Sequence, residues 1–194
     1  MVDDIDKQMG SILSSDSHRD LNSSTAQVLY TLEKRGINLT NNLAKFIYET
    51  AQAESGMFDN PPTVVNPETG ASGMYQFIET EDNNSLTTGL NRLSATKEDG
   101  SYVYFDKLPE WINETKKHKD VTKLNKDQQT ALFLANLHQQ KGTDDLFKKI
   151  SGGDIQAKID MYIKHHHKGK IVDDKRVYDD KVIDYAKEIF FGLS

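Results

Sequence analysis

The chain has 194 residues, of which 36% are hydrophobic and 28% charged, enough for one full domain of roughly 100 to 200 residues or two small ones. It has no cysteine. Disulfides, thiolate nucleophiles, zinc-thiolate sites and iron-sulfur clusters are thereby excluded, and carboxylates, histidines and hydroxyls must carry any chemistry. A formal charge of -6 argues against a general nucleic-acid binder, whose phosphate contacts need an excess of Lys and Arg.

The first residues, MVDDIDKQMG, lack the basic-then-apolar order of a secretory signal. No stretch of about 18 apolar residues marks a transmembrane helix. The expectation is a chain made in the cytoplasm without a signal peptide and without a membrane span. Residues 1 to 23 are polar, with Ile5, Met9, Ile12 and Leu13 giving only a weak amphipathic turn, and read as a tail or docking arm. A first helix starts after Ser23 or Ser24, carries Val28, Leu29 and Leu32 inward and stops at Gly36. A second, capped by Thr40 or Asn41, repeats Leu43, Ala44, Phe46, Ile47, Thr50 and Ala51 at helical spacing up to Ser55 and Gly56.

Asn60, Pro61, Pro62, Asn66, Pro67, Gly70 and Gly73 then forbid a long helix, and residues 63 to 65 are expected to form one strand of a short hairpin. Helical spacing resumes at Leu86, Leu90 and Leu93. A turn at Asp99 and Gly100 leads into residues 102 to 105, a hairpin arm or an extended loop, and Pro109 opens a helix with Trp111 and Ile112. Residues 125 to 142 form the strongest helix, expected at the centre of the core. Two more follow at 143 to 150 and 154 to 164, then a polar stretch to 174, then a last helix carrying Val177, Val182, Ile183, Tyr185, Ala186, Ile189 and Phe190. The expected fold is mainly α with a minor β element, an α+β helical bundle around a central helix with a small β-hairpin insert bearing a cleft, in a single domain over residues 24 to 194.

Glu54 stands out. It lies eleven residues after Leu43, and at ~100° per residue it returns to within ~20° of the stripe of Leu43, Ile47 and Thr50. Glu49 falls on the other side and reads as solvated. A carboxyl against apolar neighbours loses solvation of its charged form, which raises its pKa and suits a general acid. On periodicity alone, a helix-end carboxylate paired with a Lys or bonded to a turn is the commoner reading.

Around Glu54 the chain runs Ala53-Glu54-Ser55-Gly56, followed by Asn66-Pro67-Glu68-Thr69-Gly70-Ala71-Ser72-Gly73-Met74-Tyr75-Gln76-Phe77. These segments resemble the lysozyme-like lytic transglycosylase family, in which a helix ends in Glu-Ser, a Gly-Ala-x-Gly turn follows, and Gln comes three residues later. The variant here is most similar to the peptidoglycan-cleaving domains of bacteriophages, and the motif-bearing part covers about residues 40 to 80. The resemblance implies that Glu54 is the catalytic acid/base and that Ser55 orients its carboxylate. It implies that Gln76 contacts the glycan and that Gly70 and Gly73 let backbone pass close to the sugar, with Ser72 and Tyr75 in the same substrate-binding turn. The family's late Ala-Tyr-Asn motif is absent in that form. Its nearest counterpart is residues 159 to 167, IDMYIKHHH, where Tyr162 would bond the catalytic Glu and His165 would supply a polar contact to the glycan.

A hydrolytic glycosidase generally uses two carboxylates about 5 to 9.5 Å apart, and Asp59, Glu68, Glu79 and Glu81 are the available second acids. The family's transglycosylases use one, closing a 1,6-anhydro ring on N-acetylmuramic acid. The reading is therefore a transglycosylase acting on peptidoglycan strands. A muramidase hydrolase on the same bond and a non-catalytic glycan-binding virion component stand as alternatives. Other phage virion proteins are expected partners through the N-terminal tail, and delivery to the cell wall would come with the particle or through a membrane pore. No cofactor and no metal are expected. Three successive helical residues, His165, His166 and His167, point about 100° apart and cannot all face one ion without a partner such as His138.

Overall fold

The computed structural model describes residues 23 to 56, 63, 65 to 80, 84 to 167, 170 to 172 and 175 to 192. The tail assigned to residues 1 to 23 therefore falls, but for Ser23, outside the described residues. Helix α1 spans Ser24–Lys34 and α2 spans Asn41–Ser55. Ser23 caps α1 by accepting from the Ala26 amide, and the Asp127 carboxylate takes the amides of Ser24 at 2.8 Å and Thr25 at 3.0 Å. An acid about a hundred residues further along the chain thus satisfies donors that the helix itself cannot. Helix α2 ends where Gly56 turns left-handed at φ 64°.

Helices α3 (Ser85–Leu93) and α4 (Glu110–His118) lead through a 3-10 turn at Val121–Lys123 to α5 (Lys126–His138). Asn125 and Gln128 close a reciprocal capping box at the start of α5. Every residue from Gln129 to His138 is buried. Helix α5 packs against α1 and α3, with fewer contacts to α6 (Thr143–Ser151). A helix covered on all sides has no solvent face for its polar residues, so each finds a partner. Gln129 donates to the carbonyls of Val121 and Leu124 and accepts from the Met74 amide at 2.7 Å, and Asn136 accepts from Arg92. The expected central helix is this one.

Helix α7 (Ile155–Met161) passes without a break into a π-helical turn at Tyr162–His166, closed by the His167 amide on the Tyr162 carbonyl. Strands β1 (Lys170–Val172) and β2 (Lys175–Val177) form an antiparallel ribbon, and α8 (Asp180–Phe191) ends the described chain.

The molecule is mainly helical, and the hairpin insert expected after α2 does not form among the described residues. Among the described residues, 63 to 80 carry only single bridges, Val65 to Ser72 and Ser72 to Phe77. Asn66 shapes the turn: its side-chain oxygen accepts the amides of Glu68 and Thr69, and its own amide, donating to the Ala71 carbonyl at 2.7 Å, makes a bond of the Val65 to Ser72 bridge. The segment coils on itself before a ladder can extend. Residues 102 to 105 likewise give one bridge, Thr96 to Tyr102, and an extended loop. Among the described residues the one ribbon has its first strand in the stretch read as merely polar, and Val177, assigned to the last helix, belongs to β2.

Candidate functional site

A cleft of about 580 Å³ is walled by the turn segment at residues 66 to 78 on one side and by the π-turn on the other, with the end of α2 and Asn136 of α5 between them. Glu54 points into it from the last turn of α2, its side chain 11% exposed. The Tyr162 hydroxyl donates to Glu54 Oε1. His166 Nε2 lies 3.3 Å and His167 Nε2 3.4 Å from the same oxygen.

The π-turn is what allows this convergence. In an α-helix, at ~100° per residue, position 167 would stand ~140° away from position 162. Closing the turn five residues on instead of four brings 167 back over 162, so Tyr162, His166 and His167 all meet one carboxylate.

Burial alone would raise the Glu54 pKa, as expected from sequence. The charge of His166 and hydrogen bonds from His166, His167 and Tyr162 outweigh it, and the carboxyl is held well below the usual carboxylate range. That expectation is corrected: Glu54 is a buried anion among donors. Burial, then the charge of Glu54, push the Tyr162 hydroxyl far up, so it stays a donor at any physiological pH.

The other candidates separate clearly. Gln76 lines the cleft, in a left-handed backbone conformation (φ 48°), with its side-chain amide donating to the Gly73 carbonyl at 2.9 Å. Tyr75 forms its floor, stacked on Phe133 at 4.1 Å and bonded through its hydroxyl to Thr130. Ser55 does not orient Glu54: its hydroxyl turns back to the Ala51 carbonyl at 2.9 Å. Gly70 and Gly73 are absent from the cleft wall. Gly73 is needed for packing, because a Cβ there, at φ 79°, would meet Gln129 Oε1 at 2.5 Å. Ser72 serves through its backbone, exchanging two bonds with Phe77. The side chain of His165 lies outside the described residues.

Of the second acids, Glu68 sits exposed in the Asn66 turn, and Glu79 is taken by Lys119 at 2.6 Å and by Thr87. Neither lines the cleft. Asp59 and Glu81 lie outside the described residues. Glu49 is not solvated: its carboxylate pairs with Lys158 Nζ at 2.8 Å, a lysine whose side chain is 6% exposed. His138 is no partner for the His tract, being engaged by Tyr104 at 2.7 Å on the far side of α5 from the cleft wall formed by Asn136. Trp111 bonds Ser24, and neither it nor Tyr102 nor Tyr104 reaches the cleft.

Sequence reasoning missed the pairing of His166 and His167 with Glu54, which depends on the π-turn. It also missed Asn136, for which a signal existed: an amide inside the apolar run of residues 131 to 137 must be answered by a partner or a cavity. No family model matches the sequence, no curated protein matches it, and no solved structure matches the fold.

Proposed function

We propose that this chain is a peptidoglycan lytic transglycosylase of the lysozyme-like kind, cutting the β-1,4 bond between N-acetylmuramic acid and N-acetylglucosamine. The observation that carries the reading is Glu54 at the end of α2, turned into a cleft whose described lining contains no other acid, with the Tyr162 hydroxyl on its carboxylate. One carboxylate suits the intramolecular reaction. Glu54 delivers a proton to the glycosidic oxygen as the bond to C1 breaks, then takes the proton of the C6 hydroxyl as that oxygen bonds C1 and closes the 1,6-anhydro ring. A carboxylate facing the developing positive charge at C1 also stabilises it.

His166, 3.3 Å from the Glu54 carboxylate, is the neighbour from which Glu54 would take the proton that this sequence needs, and a glycan filling the cleft displaces the water that favours the charged carboxylate. Gln76 and Asn136 offer amide contacts to acetamido and hydroxyl groups along the same wall. The test is product analysis by mass spectrometry on purified sacculi. Anhydro-ended muropeptides from the wild type and none from Glu54→Gln support the reading. Reducing ends carrying oxygen from labelled water would make the chain a hydrolase, and glycan retention without cleavage would make it a binding component of a virion.

A further inference from the structure

The cluster of Glu54, His166 and His167 has a geometry that acid/base work does not require. Oε1 of Glu54 stands 3.3 Å from one imidazole Nε2 and 3.4 Å from the other, and the ligand atoms of all three side chains lie within 4.8 Å of one another. A tetrahedral ion held at about 2.0–2.1 Å by imidazole nitrogen and about 2.0–2.2 Å by carboxylate oxygen separates its ligand atoms by about 3.3–3.5 Å. Two of the three edges have that length already.

Two imidazoles and one carboxylate suit zinc and its first-row neighbours, whereas calcium and magnesium call for oxygen-rich shells. The surroundings restrain the ligands. Phe133 meets the His166 ring edge-on at 5.8 Å, the Tyr162 ring meets that of His167 at 4.6 Å, and the Tyr162 hydroxyl orients the carboxylate from the outer shell. Because all three ligands line the cleft, a fourth position would face its open space.

We infer that Glu54, His166 and His167 form a three-ligand site for a divalent transition metal of the zinc class, with the remaining coordination position open to the cleft. The ion takes the carboxylate that gives and receives the proton. Resting on the function proposed above, zinc occupancy therefore silences glycan cleavage and its removal restores it.

The experiment is calorimetric titration of the chelator-stripped full chain with Zn²⁺ alone, with Co²⁺ absorption as a report on coordination number. One ion per chain and the intense visible bands of four-coordinate Co²⁺ are expected. Glu54→Gln and His167→Ala each weaken zinc binding more than about 100-fold, and Tyr162→Phe, which removes only an outer-shell bond, weakens it about tenfold. His167 is the histidine to truncate because its side chain is a third exposed (33%) and leaves no core cavity. Absence of saturable binding in the wild type overturns the site. So does wild-type affinity in Glu54→Gln, which would assign the zinc to the histidine tract alone. In turbidity assays on cell walls, zinc inhibition of the wild type that a chelator reverses supports the regulatory consequence, and a zinc-loaded chain that cleaves at full rate overturns it. A chain that binds zinc but cleaves in neither state overturns the proposed function and not the metal site.

Discussion

Two regions of this molecule are built from the same three kinds of side chain and end in opposite charge states. At Tyr104, His138 and Asp144, the imidazole is the buried member: the His138 side chain is 1% exposed, with Nδ1 2.7 Å from the tyrosine oxygen. Its carboxylate stands at the surface, 3.4 Å from Nε2 without a hydrogen bond, and is shared with Arg35 at 3.3 Å. Burial, and then the Arg35 charge, press the His138 pKa down to about 4, so the ring is neutral. At Tyr162, His166 and Glu54 the imidazole and the carboxylate are buried alike, and the donors aimed at the carboxylate outweigh its burial, so it stays ionised. The residue types do not decide the chemistry. Whether the buried group keeps partners for its charged form does.

The contrast breaks most sharply at Glu54. Glu54→Gln is expected to keep the fold and lose on the order of 10²–10⁴ in cleavage rate, the usual worth of a positioned acid/base, measured as muropeptide release; a folded variant with full activity would erase the distinction between the two clusters. Glu49, one and a half turns earlier on α2, sharpens the point from the stability side. Glu49→Gln leaves the buried Lys158 ammonium without its partner and should cost about 2–3 kcal/mol in urea unfolding, while cleavage at low temperature is retained. Tyr162→Phe removes one charge-assisted bond, about 1.5–3 kcal/mol, and should slow cleavage roughly 10- to 100-fold and lower the melting temperature by several degrees.

The remaining difference is the pH response of the sealed cluster. His138 has an ordinary value of 6.5 when unfolded and about 4 when folded, so between those values the unfolded chain binds more protons. The stability it contributes is complete above about pH 6.5 and is lost as pH falls toward 4. Urea midpoints of the wild type should fall more steeply across that window than those of His138→Gln; identical slopes would show that His138 is not held neutral.

Much of the helical plan was legible because apolar residues recurring every three or four positions can be buried only one way. Leu43, Ile47 and Thr50 define the inner face of α2, and the angle between that face and Glu54 follows from helix geometry alone. The same arithmetic misjudged Glu49, since a position off the apolar stripe is solvated only if nothing else covers it, and Lys158 of α7 does. The hairpin was misplaced because bridges are made by backbone groups that any sequence carries. After the first bridge the amides of Glu68 and Thr69 go to the Asn66 side chain, and nothing in residues 170 to 177 advertised where such groups would pair.

The sequence by itself determined the helices, their inward faces, the carboxylate at the end of α2 and the residue inventory from which a site must be made. Tertiary structure alone decided the company that carboxylate keeps. Residues 54 and 162 to 167 are more than a hundred positions apart, and their meeting depends on α7 slipping into a wider turn at Tyr162, a change of one backbone hydrogen bond that no side-chain pattern records. That single change sets the charge of Glu54 and gathers the three atoms of the inferred metal site.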